Sequence, residues 1–298
     1  MKILILLTLL SLSAHASDEK QFPNPGQVYI PGKDAGFNQY LTRSLKGTKK
    51  IALTFDDGPD VNLTPKLLDT LKKFGVHATF FVLTERFNDQ TLPIVKRMLA
   101  EGHNLGSHHL NHISNDTKTE VVYRSELKQS IISTAGLMES ENAREREIYY
   151  RFPYGAYGSA KLGYHHMNVM KEVSQQLFGD NCINFVFWDV DTVDWLEAMT
   201  PDDITQNVMA NIFGGTGYDF KKNSNGTYSK ITLQINHPIG GGVVLMHDVH
   251  ARSVDAVPKI LQKFKDQGVE VVSLQDIEEY AYKGKECRLI NGPGVFGI

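Results

Sequence analysis

The run Ile51-Ala52-Leu53-Thr54-Phe55-Asp56-Asp57-Gly58-Pro59 reads as an apolar strand that breaks into a Gly-Pro turn, with two adjacent carboxylates at the break. Neighbouring side chains on a strand point to opposite faces, but a turn lets both reach one pocket. Two carboxylates so close repel unless something positive separates their roles. A metal does this, with one Asp ligating and the other left free as a base. Taken alone, Asp-Gly-Pro is also ordinary turn chemistry, so the rest of the chain has to supply the missing ligands, a cation for the base and an acid.

After this strand, Thr64-Pro65 reads as an N-cap followed by Pro at N1. Leu67, Leu68, Leu71 and Phe74 form a helical stripe that Gly75 closes. Residues 78–83 form a second, near-continuously apolar strand, as expected when both faces are covered. The alternation then repeats. Helices are expected over 93–99, 121–137, 167–178, 200–212, 253–265 and 276–282, and strands over 104–107, 149–152, 184–188, 243–246 and 269–272. This order argues an α/β fold with a parallel sheet closed as a barrel. Residues 213–242 break the rhythm, being rich in Gly, Asn and polar residues. They read as an insertion near the active face, with a hairpin around Asn223-Ser224-Asn225-Gly226 and a half-exposed strand at Ile231, Leu233 and Ile235.

The N-terminus reads as a secretory signal peptide over residues 1–16, with Lys2 as the basic start, residues 3–12 as an apolar stretch too short to span a bilayer, and Ala14-His15-Ala16 as the cleavage site. Residues 17–47 form an extended lead-in rich in Gly and Pro. The expected location is periplasmic or secreted, with no membrane span. At 298 residues and 41% hydrophobic content the chain can bury a full core, and a net charge of -3 gives no sign of a nucleic-acid partner. The two cysteines, Cys182 and Cys287, have no CxxC spacing and suit a disulfide in an exported protein better than a metal site.

Four further motifs follow expected strands. His108 and His112 are four apart and would share a face on a helical turn. Two imidazoles and one carboxylate are a common catalytic zinc set. His109, between them, is an alternative ligand. Arg151 ends a strand and can hold a carboxylate bidentately. The Pro153-Tyr154-Gly155 turn can expose the Tyr154 N–H to a developing oxyanion. Trp188-Asp189-Val190-Asp191-Thr192-Val193-Asp194-Trp195 mixes acids that can tune a histidine with flat aromatic walls that suit a sugar. Leu245-Met246-His247 places a candidate general acid at a strand end.

In this order and spacing the five motifs resemble the polysaccharide deacetylase family (the NodB-homology domain, carbohydrate esterase family 4), over residues 48–283. The resemblance implies a distorted (β/α) barrel with fewer than eight regular units, and hydrolysis of N-acetyl groups on an N-acetylhexosamine polymer. It implies that Asp57, His108 and His112 bind the metal, Zn²⁺ or another divalent ion such as Co²⁺. Asp56 is then the base, Arg151 its partner and Asp194 the residue that tunes the acid His247. The Tyr154 N–H binds the oxyanion, and Trp195 and Leu245 line the acetyl pocket. His109 departs from the family, which usually has Ser or Thr there. The insertion and the tail over 284–298 lie outside the resemblance. An acetylated glycan is the expected partner and acetate the product. Peptidoglycan is the first substrate, with chitin or chito-oligosaccharide and acetyl-xylan as alternatives. A non-catalytic glycan-binding protein and a purely structural metal site are the readings from other classes.

Overall fold

The computed structural model describes residues 41–141, 148–158, 165–281 and 287–292. The expected signal peptide, most of the expected lead-in and most of the tail lie outside these residues. The chain runs β1 (Lys50–Asp56), α1 (Leu63–Phe74), β2 (Thr79–Val82), α2 (Leu92–Ala100), β3 (Asn104–Ser107), α3 (Glu120–Ser140), β4 (Ile148–Tyr150), α4 (His165–Phe178) and β5 (Ile183–Phe185). It continues through β6 (Val190–Asp191), α5 (Pro201–Phe213), β7 (Gly215–Lys222), β8 (Tyr228–Ile235), β9 (Gly242–His247), α6 (Ala251–Gln267) and β10 (Glu270–Val271).

Eight strands form one parallel sheet in the order β5-β4-β3-β2-β1-β9-β6, with β10 added to the start of β1. This is a barrel order with an unpaired seam between β5 and β6, so the sheet curls without closing. The architecture is the expected distorted (β/α) barrel. Beyond Lys50, β1 is buried throughout, because both of its faces are covered. Ile51, Leu53 and Phe55 pack with Leu67, Leu71, Val257 and Ile260 of α1 and α6, whereas Ala52 belongs to the other core cluster. The two-residue period of a strand therefore turns Thr54 and Asp56 to the inside of the curl with Ala52.

Local chemistry sets the helix ends. Thr200 caps α5 through a reciprocal capping box with Asp203, and Gly75 ends α1 with φ 65°. Thr64 does not cap α1. The helix starts two residues earlier than expected, at Leu63, and the Thr64 hydroxyl donates instead to the buried Asp248 carboxylate. The helix expected over 276–282 is a short 3-10 turn at Leu274–Asp276. The strands expected at 149–152 and 184–188 are shorter and start one residue earlier, at Ile148–Tyr150 and Ile183–Phe185. Within the insertion, β7 and β8 form an antiparallel hairpin from Gly215↔Ile235 to Lys222↔Tyr228. No helix among the described residues is long and apolar enough to cross a membrane.

Cys182 and Cys287 are joined by a disulfide across 105 residues of chain, which ties the C-terminal segment to the start of β5. Restricting so long a loop in the unfolded chain stabilises the fold by about 2–5 kcal/mol. Replacing both cysteines with alanine is expected to lower the unfolding free energy by about that amount, read from denaturant melts.

Candidate active site

Strand register assembles the site. Asp56, the last residue of β1, pairs with His247, the last residue of β9. In β3 and β4, Ser107 pairs with Tyr150. The ladder then extends one step further: the His108 N–H donates to the Val82 carbonyl at 2.8 Å and the Arg151 N–H to the Ser107 carbonyl at 2.9 Å. All these groups gather at the carboxyl ends of the strands, where parallel barrels build their sites.

Asp57, His108 and His112 converge so that one ligand atom from each lies within 4.8 Å of the others. Nε2 of each histidine is 3.4 Å from Asp57 Oδ1, which is buried with no hydrogen-bond partner. Burial opposes ionisation of Asp57, but His108 and the other imidazoles hold it well below the usual carboxylate range. Burial lowers the His112 pKa to about 4, against the pull of Asp57, so this ring is neutral at physiological pH. His108 Nδ1 lies 2.9 Å from the Arg151 carbonyl oxygen. That oxygen can only accept, so Nδ1 donates to it and Nε2 is turned toward Asp57. An ionised carboxylate with an orphaned oxygen beside two imidazole nitrogens is a donor set that fits a divalent metal.

The expected helical turn over the two histidines is absent. His108 and His112 stand on a bent loop, and His109 between them adopts φ 77°. That kink sends His109 to the opposite side. Its Nε2 meets Glu126 at 3.0 Å, its Nδ1 accepts from the Tyr150 hydroxyl at 3.0 Å, and its ring stacks on Tyr123. Lys118 completes this group by bonding both Glu126 and the Asn111 side chain.

Arg151 is fully buried. Its Nη1 donates to Asp56 Oδ1 at 2.8 Å and to the Thr54 hydroxyl at 2.7 Å. Its other nitrogens donate to the carbonyls of Val186 and Phe187. The grip on Asp56 is therefore single rather than bidentate, because those carbonyls occupy the rest of the guanidinium. Asp56 Oδ2 is left facing the site, 3.8 Å from His108 Nε2.

On the other side of Asp56, His247 is held by Asp194. The backbone N–H donates to Asp194 Oδ2 at 2.8 Å, and Nδ1 donates to Oδ1 at 2.7 Å. Burial disfavours a charged imidazole here, but the Asp194 carboxylate, helped by Asp57 and Asp56, raises its pKa to about 10. Leu245 lies two residues before His247 on β9, nearly buried. Trp195 follows Asp194 and packs against Phe220 and Tyr228 of the hairpin. Tyr154 sits in the left-handed region at φ 58°, its ring centroid 4.2 Å from that of His112.

The model of the polysaccharide deacetylase family matches residues 44–171. The chain belongs to this family. A peptidoglycan-N-acetylglucosamine deacetylase of Bacillus cereus is 36% identical over 227 residues, covering 76% of this chain and 66% of that protein. Peptidoglycan-N-acetylglucosamine deacetylase PgdA of Listeria monocytogenes is 32% identical over 269 residues, covering 86% of this chain and 47% of that protein. This polysaccharide deacetylase chain thus spans about two thirds of the first relative's length and about half of the second's. The crystal structure of the Bc1960 peptidoglycan N-acetylglucosamine deacetylase with a naphthalenyl N-oxidanyl-benzamide matches with a TM-score of 0.57 at 29% identity, over 82% of this chain and 96% of that one.

Sequence reasoning missed two supporting residues of the site. Arg252 at the start of α6 donates to the carbonyls of Asp194 (2.6 Å) and Trp195 (2.7 Å), clamping the loop that carries them. Asp248 is buried against Gly58, where a Cβ would collide with its carboxylate, and burial raises its pKa to about 7. The sequence signal for Arg252 was a lone cation after a strand end. For Asp248 it was a second acid beside a histidine. Neither is distinctive without the fold.

The raised pKa of His247 has a kinetic consequence if the ring serves as an acid. The protonated form is the active one, so activity falls as pH rises through its pKa. Asp194→Asn removes the main cause of the elevation. The alkaline limb of the kcat–pH profile is expected to move down by about 1–3 pH units. An unmoved limb would show that another group governs it.

Proposed function

We propose that this polysaccharide deacetylase is a divalent-metal-dependent N-deacetylase of exported peptidoglycan, acting on its N-acetylglucosamine residues. The observation that carries the reading is the position of the Asp56–Arg151 pair. It lies between the Asp57, His108 and His112 cluster and the His247–Asp194 pair. Base, metal donors and acid thus face one space. The relatives named for this activity support the choice of substrate. The N-terminal signal pattern and the disulfide support export.

Asp57, His108 and His112 would hold the metal, with Zn²⁺ favoured by the mixed imidazole–carboxylate set. When bound, the ion polarises the amide carbonyl and acidifies water. Asp56 Oδ2 takes the proton from the water oxygen as it attacks the carbonyl carbon. Arg151 fixes the orientation of Asp56. The Tyr154 N–H, presented by its left-handed turn, donates to the oxyanion. His247 then donates its Nε2 proton to the nitrogen as the C–N bond breaks, and Asp194 stabilises the imidazolium until that transfer. Acetate and a free amine leave. Trp195 and Leu245 shape the pocket for the acetyl methyl.

Two measurements test this. Mature protein is expected to release acetate from peptidoglycan in a chelator-sensitive, metal-restored manner, with chito-oligosaccharide and acetyl-xylan assayed beside it. Acetate from chito-oligosaccharide alone would reassign the polymer. Asp56→Asn is expected to keep the bound metal and lose about 10²–10⁴-fold in kcat. Asp57→Ala is expected to lose the metal as well, read by elemental analysis after dialysis. Full activity in Asp56→Asn would refute the base assignment.

A further inference from the structure

The hairpin of β7 and β8 lies outside the motifs that carry the chemistry, yet it contacts the site directly. Trp195, one peptide bond from Asp194, meets the Phe220 ring at 4.8 Å and the Tyr228 ring at 5.4 Å, while Phe220 and Tyr228 are 5.5 Å apart. All three contacts are edge-to-face, so the rings brace one another in a fixed triangle. Phe220 is 37% exposed and Tyr228 42% exposed. Large rings locked in place yet open to water mark a binding surface more than a core.

Register adds a charge to that surface. Phe220 pairs with Lys230 and Lys222 with Tyr228, so Phe220, Lys222, Tyr228 and Lys230 share one face of the hairpin. Lys230 is neutralised by Asp203 of α5 at 2.8 Å. Lys222 stands at the outer end, its Nζ 5.9 Å from the Tyr228 centroid, with no acidic partner among the described residues. Reading outward from Asp194, the surface passes from a half-buried indole to two exposed rings and then to a free cation.

We propose that this face is a glycan-strand subsite: it stacks sugar rings flanking the unit being deacetylated, and Lys222 pairs with a carboxylate carried by the strand. Sugar rings present flat C–H faces that suit aromatic walls. A neutral polymer would leave Lys222 unused, so the charge points to an acidic glycan such as one bearing lactyl or peptide carboxylates. The subsite rests on the deacetylase reading for its place beside the reacting unit, but its binding can be measured without turnover.

The test is co-sedimentation of the full chain with insoluble peptidoglycan, run alongside acetate-release kinetics. Phe220→Ala with Tyr228→Ala is expected to weaken binding about tenfold and to raise KM for peptidoglycan by a similar factor. The kcat should fall by less than KM rises, and turnover of a short neutral N-acetylglucosamine oligomer should change less than turnover of peptidoglycan. Phe220→Tyr with Tyr228→Phe keeps both rings and should bind as the parent does, which controls for folding. Lys222→Glu should weaken binding to peptidoglycan more than binding to chitin, and added salt should remove that difference. Unchanged sedimentation of the alanine pair, or equal loss in the ring-retaining pair, would overturn the stacking subsite. Equal effects of Lys222→Glu on both polymers would overturn the acidic ligand. Failure of the parent protein to release acetate would instead count against the deacetylase reading.

Discussion

The buried pair of Arg151 and Asp56 is the constraint around which the rest of the site is arranged. A guanidinium wholly out of water is tolerated only if its donors are satisfied and a counter-charge is near. Arg151 reaches β1 through Asp56 and Thr54, and the segment after β5 through the carbonyls of Val186 and Phe187. Its plane also lies over the Phe81 ring, 4.2 Å from the centroid. One side chain thus joins strands from across the curl, close to the seam where β5 and β6 share no ladder. Arg151 orients Asp56 and Asp56 balances the charge of Arg151, so structure and chemistry share one contact.

The fold was legible because parallel sheets write their burial into the chain. The apolar runs at 51–55, 78–83 and 243–246 correspond to β1, β2 and β9. The hairpin was equally clear from Asn223-Ser224-Asn225-Gly226 and the alternation after it. Errors fell where tertiary contacts outweigh local signals. Thr64 looks like a cap, but Asp248, distant in sequence, claims its hydroxyl. The spacing of His108 and His112 suggested a helical turn, but it is also met by a loop kinked at His109. β6 is two residues long, too short for any periodicity to reveal.

That kink belongs to a pattern that sequence does not announce. Among the described residues, five non-glycine positions have left-handed φ: Lys49, Asp57, His109, Tyr154 and Val193. Four of them lie in the loops after β1, β3, β4 and β6, beside the functional groups. Each costs on the order of 1 kcal/mol relative to an ordinary backbone conformation. Glycine would remove the cost, but it would also remove the Asp57 carboxylate and the His109 ring. The strain is retained where a side chain and a sharp turn are both needed, and the surrounding barrel is stable enough to hold it.

The histidines show how one pocket assigns opposite states to the same side chain. His112 has burial as its dominant influence and stays neutral, with a lone pair for a metal. His247 is also buried, but a carboxylate sits on its Nδ1 side and holds it charged. His109, bridged between Tyr150 and Glu126, is driven neutral by burial, its pKa down at about 3, and braces the loop instead of entering the site. The difference lies in where the acids fall, and the strand register sets that placement: Asp194 comes up beside β9 because β6 pairs with it. Three similar rings, one neutral, one charged and one turned away as a brace, need the barrel before they need any particular loop. The hairpin resting against Trp195 is added to that barrel rather than built into its sheet.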